Sequence, residues 1–236
     1  TGVQTCALPI FYGSSALNGT INFRTGFPRD TPITKIGLYR GVYDKASQTL
    51  NDTVYNLNDW MKPLQGYTGV EFLHSRQAGN LDVTVGGNYF DDQGYRQEDW
   101  ERRGRVNASL RYRIPNISGL SVGLNTNVMR SEGVTYFLWE NAKDGAYLPA
   151  PNTASDYTTW RVTVDPFVTY VLDNGSSHKL RTRYFLTDNQ NNTNQSATAA
   201  TYYAEYQYQH RFNDYITTTG GLLYATNNVN SELYGD

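Results

Sequence analysis

Along residues 202–209 the chain alternates. Tyr202, Ala204, Tyr206 and Tyr208 fall on one side of an extended backbone, and Tyr203, Glu205, Gln207 and Gln209 on the other. The same period recurs at 105–113, where Val106, Ala108, Leu110 and Tyr112 oppose Arg105, Asn107, Ser109, Arg111 and Arg113. It recurs through Leu81, Val83, Val85 and Tyr89, through Leu120, Val122, Leu124 and Val128, and through Val162, Val164, Val168, Tyr170 and Leu172. Successive side chains of a strand leave opposite faces, so a period of two predicts β-strands. Nine are predicted, near 33–43, 67–76, 80–90, 104–113, 119–131, 158–172, 178–189, 199–212 and 215–227.

These runs are long. Strands of soluble domains are most often about 5–6 residues, whereas a tilted strand crossing a bilayer needs about 9–11. The links between them are predicted to alternate in length. Long or polar links at 44–66, 91–103, 132–157 and 190–197 are interleaved with short ones. The short ones are Ala78-Gly79, Pro115-Asn116-Ile117-Ser118, Asp173-Asn174-Gly175-Ser176 and Asn213-Asp214. Short turns at one rim and longer loops at the other are the habit of outer-membrane barrels. The Asn-Gly and Asn-Asp turns tolerate the backbone that tight hairpins need.

Composition sharpens this. The 236 residues include 20 Tyr, 9 Phe and 4 Trp, yet only 39% are hydrophobic. A barrel whose strands alternate lipid-facing and lumen-facing residues averages out as polar in this way, and its aromatic residues gather at the membrane interfaces. No stretch reaches the roughly 20 apolar residues of a membrane-spanning helix. The net charge of −2 and the absence of a basic run argue against nucleic acid as a partner. A lone cysteine, Cys6, cannot pair within the chain, and it falls in residues 1–10, which read as the translation of a sequencing-library adapter rather than native protein.

Residues 11–26 run Phe-Tyr-Gly-Ser-Ser-Ala-Leu-Asn-Gly-Thr-Ile-Asn-Phe-Arg-Thr-Gly. Within them Tyr12, Gly13, Ser14, Ala16, Leu17, Gly19, Ile21 and Asn22 resemble the close of the plug domain in TonB-dependent outer-membrane receptors. The stretches Gly79 to Phe90, Gly123 to Val128 and Tyr202 to Tyr206 resemble early barrel strands of such receptors from Bacteroidetes-type bacteria. The resemblance divides the chain into residues 1–10, a plug end at 11–27 and the N-terminal part of a barrel at 28–236. It implies an all-β fold: an incomplete antiparallel transmembrane β-barrel, an open meander of about nine or ten long strands with a short plug remnant. Open edges of this kind predict that the chain does not form a stable monomer by itself.

The resemblance further implies a non-enzymatic transporter in the bacterial outer membrane. It would import a scarce nutrient, powered through a TonB–ExbB–ExbD complex that contacts a segment preceding this sequence. The Ser14-Ser15-Ala16-Leu17 form departs from the Arg-Gly-Ala pattern of glycan importers, which favours a ferric siderophore or other metal chelate as cargo. A TonB-dependent glycan or peptide importer is the alternative. A passive or adhesive outer-membrane barrel, or a secreted carbohydrate-binding β protein, is a second.

No catalytic constellation is present in the sequence. His74, His178 and His210 lie in separate segments without zinc spacing, and no Gly-x-Ser-x-Gly elbow or phosphate loop occurs. No cofactor is expected. Asp91-Asp92 and Glu98-Asp99 read as solvated loop charge, with loose calcium binding as the alternative. The best candidates for ligand contact are Tyr136, Phe137 and Trp139, then Tyr95 and Trp100, whose flat faces suit a siderophore catechol or a sugar ring. An aromatic girdle or a packed loop is the competing reading. Arg105, Arg111, Arg181 and Arg183 are expected to face the lumen, as a structural network or as contacts to plug carboxylates or an anion path.

Overall fold

The computed structural model describes residues 27–28 and 31–233. Among the described residues there is no helix. In chain order the strands are β1 (Ile33–Val42), β2 (Ser47–Leu50), β3 (Thr53–Asn56), β4 (Gly66–Ala78), β5 (Leu81–Asp92), β6 (Trp100–Arg113), β7 (Leu120–Thr135), β8 (Ser155–Val171), β9 (Ser176–Asn191), β10 (Ala197–Arg211) and β11 (Thr217–Ser231). Nine of them make one antiparallel sheet, each hydrogen-bonded to its sequence neighbour, in the order β1-β4-β5-β6-β7-β8-β9-β10-β11. The sheet is open: β1 and β11 are its edges and do not pair with each other.

All nine predicted strands are present. All but β1 are longer than the apolar alternation suggests, reaching 17 residues in β8 and 16 in β7 and β9. The added length comes mainly at one end, so two expected long links shrink: 91–103 becomes 93–99, and 190–197 becomes 192–196. The alternation of link lengths is therefore weaker than expected. It rests on 43–65 and 136–154, while 93–99 and 192–196 are close in size to the opposite-rim links 114–119 and 212–216.

The link 43–65 is not irregular. It holds the β2–β3 hairpin, turned by Asn51 (φ 50°) and Asp52 (φ 61°). Two consecutive left-handed residues make the tight turn whose twist matches paired strands, and Asn and Asp tolerate that backbone best after glycine. Gln48 of this hairpin donates to the carbonyls of Ala142 and Lys143, so the two long links meet at one rim.

Hydrophobic packing is scarce. Among the described residues the buried apolar side chains are Leu57, Met61, Met129 and Tyr136, and each long strand contacts no strand but its ladder neighbours. No second layer covers either face of the sheet among the described residues. The plug-like positions Tyr12, Gly13, Ser14, Ala16, Leu17, Gly19, Ile21 and Asn22, and residues 1–10, lie outside the described residues.

Candidate functional site

Directly opposed residues share a face, so the register shows what each face carries. One rung runs Ile36, Phe72, Gly87, Val106, Val128, Val162, Leu186, Ala200. A second rung, six residues along each strand toward the short-turn rim, runs Leu81, Tyr112, Val122, Val168, Leu180, Tyr206, Leu222. These rungs lie on the same face; together they put apolar side chains on every strand of the sheet, although Ala200 meets Asn228 on β11, and no other layer covers them among the described residues. Ile36 is 70% exposed, Val106 66% and Leu222 77%. A soluble sheet buries such a face against another layer.

The apolar band has borders. Toward the short-turn rim it ends in aromatic residues. Tyr170, His178 and Tyr208 form one rung, with His178 stacked against Tyr170 at 6.3 Å and 5.0 Å from Tyr208. His210 and Phe212 follow, edge to face at 4.4 Å. The His178 ring shares a hydrogen bond with the Tyr206 hydroxyl (2.7 Å), and His210 one with Ser176 (2.8 Å). Toward the long-link rim the band ends in a wholly polar rung: Arg40, Thr68, Asp91, Arg102, Glu132, Thr158, Gln190. Just there Arg102 lies over Trp100 at 5.3 Å and Arg130 over Trp160 at 5.8 Å.

The opposite face is polar and cross-linked by side chains. Ser109 donates to Asn125 (2.7 Å), Thr159 to Asn189 (2.7 Å) and Ser131 to Glu101 (2.9 Å). All four expected arginines stand on this face. Arg111 donates through Nε (2.7 Å) and Nη2 (2.5 Å) to one oxygen of Asp82, which also accepts from Arg113 (2.8 Å). Asp82 is 1% exposed, and its other oxygen has no partner among the described residues. Arg183 forks onto Asp165. Arg105 reaches the Met129 sulfur at 3.1 Å, and Arg181 stands directly opposite Glu205. The Arg111 guanidinium lies 3.4 Å from the ring centre of Phe27, so the chain ahead of β1 reaches the sheet on its polar face.

At the long-link rim a chain of rings borders the polar face. Tyr67 meets Tyr39 (6.4 Å), Phe90 (6.1 Å) and Tyr43 (5.7 Å); Tyr43 meets Tyr95 (5.9 Å), and Tyr95 meets Tyr147 (5.6 Å). Tyr43 donates to both carboxylate oxygens of Asp92 at 2.8 Å. Burial and that carboxylate hold its phenol well above the ordinary tyrosine value. Beside Tyr95, a cleft of roughly 240 Å³ is lined by Asp92, Asp99, Glu101 and Tyr157.

The five aromatic candidates are not brought together. Tyr136 is buried, donates its hydroxyl to the Tyr147 carbonyl (2.9 Å) and lies under the Arg96 guanidinium at 4.3 Å. Burial pushes its phenol up to about 12, with Arg96 working partly against it. Phe137 (88%) and Trp139 (57%) are open. Tyr95 joins the ring chain, while Trp100 opens β6 on the apolar face. Reading 91–103 as a link hid that placement. Arg96 pairs with Asp99 (2.5 Å) inside the 93–99 link and from there reaches the Tyr136 carbonyl (3.1 Å) and ring; no local sequence pattern signals that contact between separate links.

Asp91 pairs with Arg102 at 3.3 Å, and Asp99 with Arg96. Among the described residues no three His, Cys, Asp or Glu side chains gather to hold a metal, and no helix is long and apolar enough to cross a membrane. Comparison with protein-family models, curated proteins and solved structures finds no match.

Proposed function

We propose that the sheet is part of a transmembrane β-barrel in the bacterial outer membrane, of the TonB-dependent receptor kind, and that the whole protein imports a ferric siderophore or other metal chelate. The observation that carries the reading is the bare apolar band and its borders. On β8, Trp160 and Tyr170 are ten positions apart and bracket Val162, Val164, Pro166 and Val168. Ten residues span roughly 33 Å along a strand. At the ~40° tilt of such barrels that is about 25 Å of height, the thickness of the lipid-facing band between its two aromatic girdles. The tyrosine and histidine belt at the short-turn rim and the Trp–Arg pairs at the other are what the two interfaces of a bilayer select.

On this reading the polar face is the lumen, and the strand ends beyond Trp160 stand out of the bilayer and carry the long links. Phe27 on Arg111 supports a plug lying against the polar face, since it is the described residue nearest the plug-like motif. Both sheet edges are paired in the membrane, because hydrocarbon satisfies no backbone hydrogen bond. The open rings of Phe137 and Trp139 favour a glycan cargo as the second reading, aromatic faces being good platforms for sugars.

The test is made on cells producing the full-length protein, with and without a functional TonB. Radio-iron uptake from ferric siderophores that needs both the protein and TonB is the expected result. TonB-dependent growth on a glycan without iron uptake would move the cargo and keep the class. Indifference to TonB for every ligand would overturn the receptor reading.

A further inference from the structure

The chain carries a net charge of −2, yet one strip of it is strongly cationic. On β6 to β9 the polar face bears Arg103, Arg105, Arg111, Arg113, Arg161, Lys179, Arg181 and Arg183, against only Glu101 and Asp165. Several of these arginines are spent: Arg103 on Glu101, Arg111 and Arg113 on Asp82 of β5, Arg183 on Asp165. Two are not. Arg105 and Arg161 flank Met129 on a single rung, about 10 Å apart at the backbone since one strand separates them.

Met129 is 5% exposed. Arg105 leans onto its sulfur, a poor acceptor for a charged donor. Arg161 makes no hydrogen bond or ion pair among the described residues. The adjoining rung offers Asn107, Asn127 and Thr163, neutral groups that can donate and accept. Two like charges beside each other, with no carboxylate and a neutral strand between them, are stabilised by an anion placed across the gap. Guanidinium forks match carboxylate and phosphate oxygens two at a time.

We propose that Arg105 and Arg161 form a binding site for a small oxyanion, a molecule bearing carboxylate or phosphate groups, and that the imported cargo is therefore anionic. The site stands on the charges; its role in import rests on the membrane-receptor reading above.

The test uses the full-length protein in detergent micelles, titrated calorimetrically with citrate and with inorganic phosphate at low ionic strength, where such attraction is least screened. Spermidine serves as the opposite charge. We expect at least one of the two anions to bind and spermidine not to. The double variant Arg105→Gln/Arg161→Gln should bind roughly ten-fold more weakly or worse. Arg161→Lys should fall between, keeping the charge and losing the fork. Arg130→Gln, on the apolar face, should stay within about two-fold of the parent. Should the double variant misfold, Arg161→Gln alone, at an exposed position, carries the comparison.

Unchanged anion affinity in the glutamine variants would overturn the proposal. So would spermidine binding as well as the anions, or variants that lose thermal stability at unchanged anion affinity, since the arginines would then be serving an acid of the chain itself. Outer-membrane insertion and TonB-dependent uptake are followed on the same variants. A protein that inserts and imports yet binds neither anion sinks this proposal alone. Anion binding by a protein that never inserts sinks the membrane reading and leaves the site.

Discussion

Arg183 closes the β8–β9 ladder onto Asp165, with Nε to one carboxylate oxygen at 2.9 Å and Nη2 to the other at 2.6 Å, where the backbone pairing is interrupted. The ladder runs to Val164↔Tyr184 and resumes at Phe167↔Arg181. Pro166 lies in the gap and has no N–H to give. Thr182 adds a hydroxyl bond to the Pro166 carbonyl at 3.2 Å. Side chains thus hold two strands together where a proline has removed a rung.

The Asp165–Arg183 pair is half-open to solvent, so its worth is modest. Asp165→Ala and Arg183→Ala should each lower stability, and a double-mutant cycle should give a coupling of about 0.5–1 kcal/mol, the upper part of the range for exposed pairs because the contact is bidentate. Urea unfolding of the full-length protein in micelles measures it. A coupling indistinguishable from zero would mean that the backbone alone spans the gap.

Two glycines on the sheet should respond in opposite ways to alanine. Gly119 opens β7 from the short link with φ +77°, and a Cβ there would lie 1.8 Å from the Val171 carbonyl oxygen. Neither the backbone nor its neighbour can move without breaking the hydrogen bond from Val171 N–H to the Gly119 carbonyl (3.0 Å). Gly119→Ala should cost roughly 1–3 kcal/mol. Gly104, inside β6, has nothing within 4 Å of its would-be Cβ. Gly104→Ala should be neutral or stabilising by up to about 1 kcal/mol, through the smaller entropy loss. The same urea titration separates them; equal effects would refute the close approach at Gly119.

The nine long strands were legible because their central residues alternate between two chemically distinct faces. Where both faces turn polar the pattern disappears although the ladder continues, as in Glu101 to Arg103 and at Gln190 and Asn191. Strand ends were therefore read as links. The β2–β3 hairpin was missed for a related reason. Its strands are four residues each, too short for periodicity, and only the Asn51-Asp52 turn marked it. The polar-face arginines could be placed on a face from alternation alone, but not their partners, since Asp82 and Arg111 are brought together by register between strands. For Tyr136 the sequence leaves both a ligand platform and a packed loop open, and the ring is buried. Its burial depends on Arg96 from a separate link, a contact invisible to any local window.

Alkaline pH should loosen the ring cluster at the long-link rim late rather than early. The Tyr136 phenol rises from its ordinary value near 10 to about 12, chiefly through burial. Tyr43 rises through burial and the Asp92 carboxylate. A group whose folded-state pKa lies above its unfolded value contributes stability that is complete below the unfolded value and fades as pH climbs through the folded one. The cluster should be unaffected up to about pH 10 and weaken between there and about 12. Ultraviolet titration of tyrosinate should show a late-ionising fraction that Tyr43→Phe and Tyr136→Phe each diminish. If every tyrosine ionises together near pH 10, the cluster is not held as described.

The sharpest discrimination between a lipid-facing and a water-facing apolar surface comes from lysine placed at two heights of one strand. Val164 and Thr158 lie on the same face of β8, six positions apart, on either side of the Trp160 border. Were the face open to water, both would be exposed positions, and a long charged side chain would be tolerated at either at little cost. In a barrel, Val164 lies near the middle of the band between Trp160 and Tyr170, where lysine costs about 2–4 kcal/mol, while Thr158 lies in the polar rung, where the cost falls to about 0–1 kcal/mol. Val164→Lys should therefore lower the urea midpoint for folding of the full-length protein into phospholipid vesicles far more than Thr158→Lys. An Arg105→Lys variant on the polar face supplies the third point, because a cation already stands there, and should match Thr158→Lys. Equal effects at Val164 and Thr158 would remove the bilayer from the explanation of this sheet, and with it the reason for leaving so large an apolar face bare.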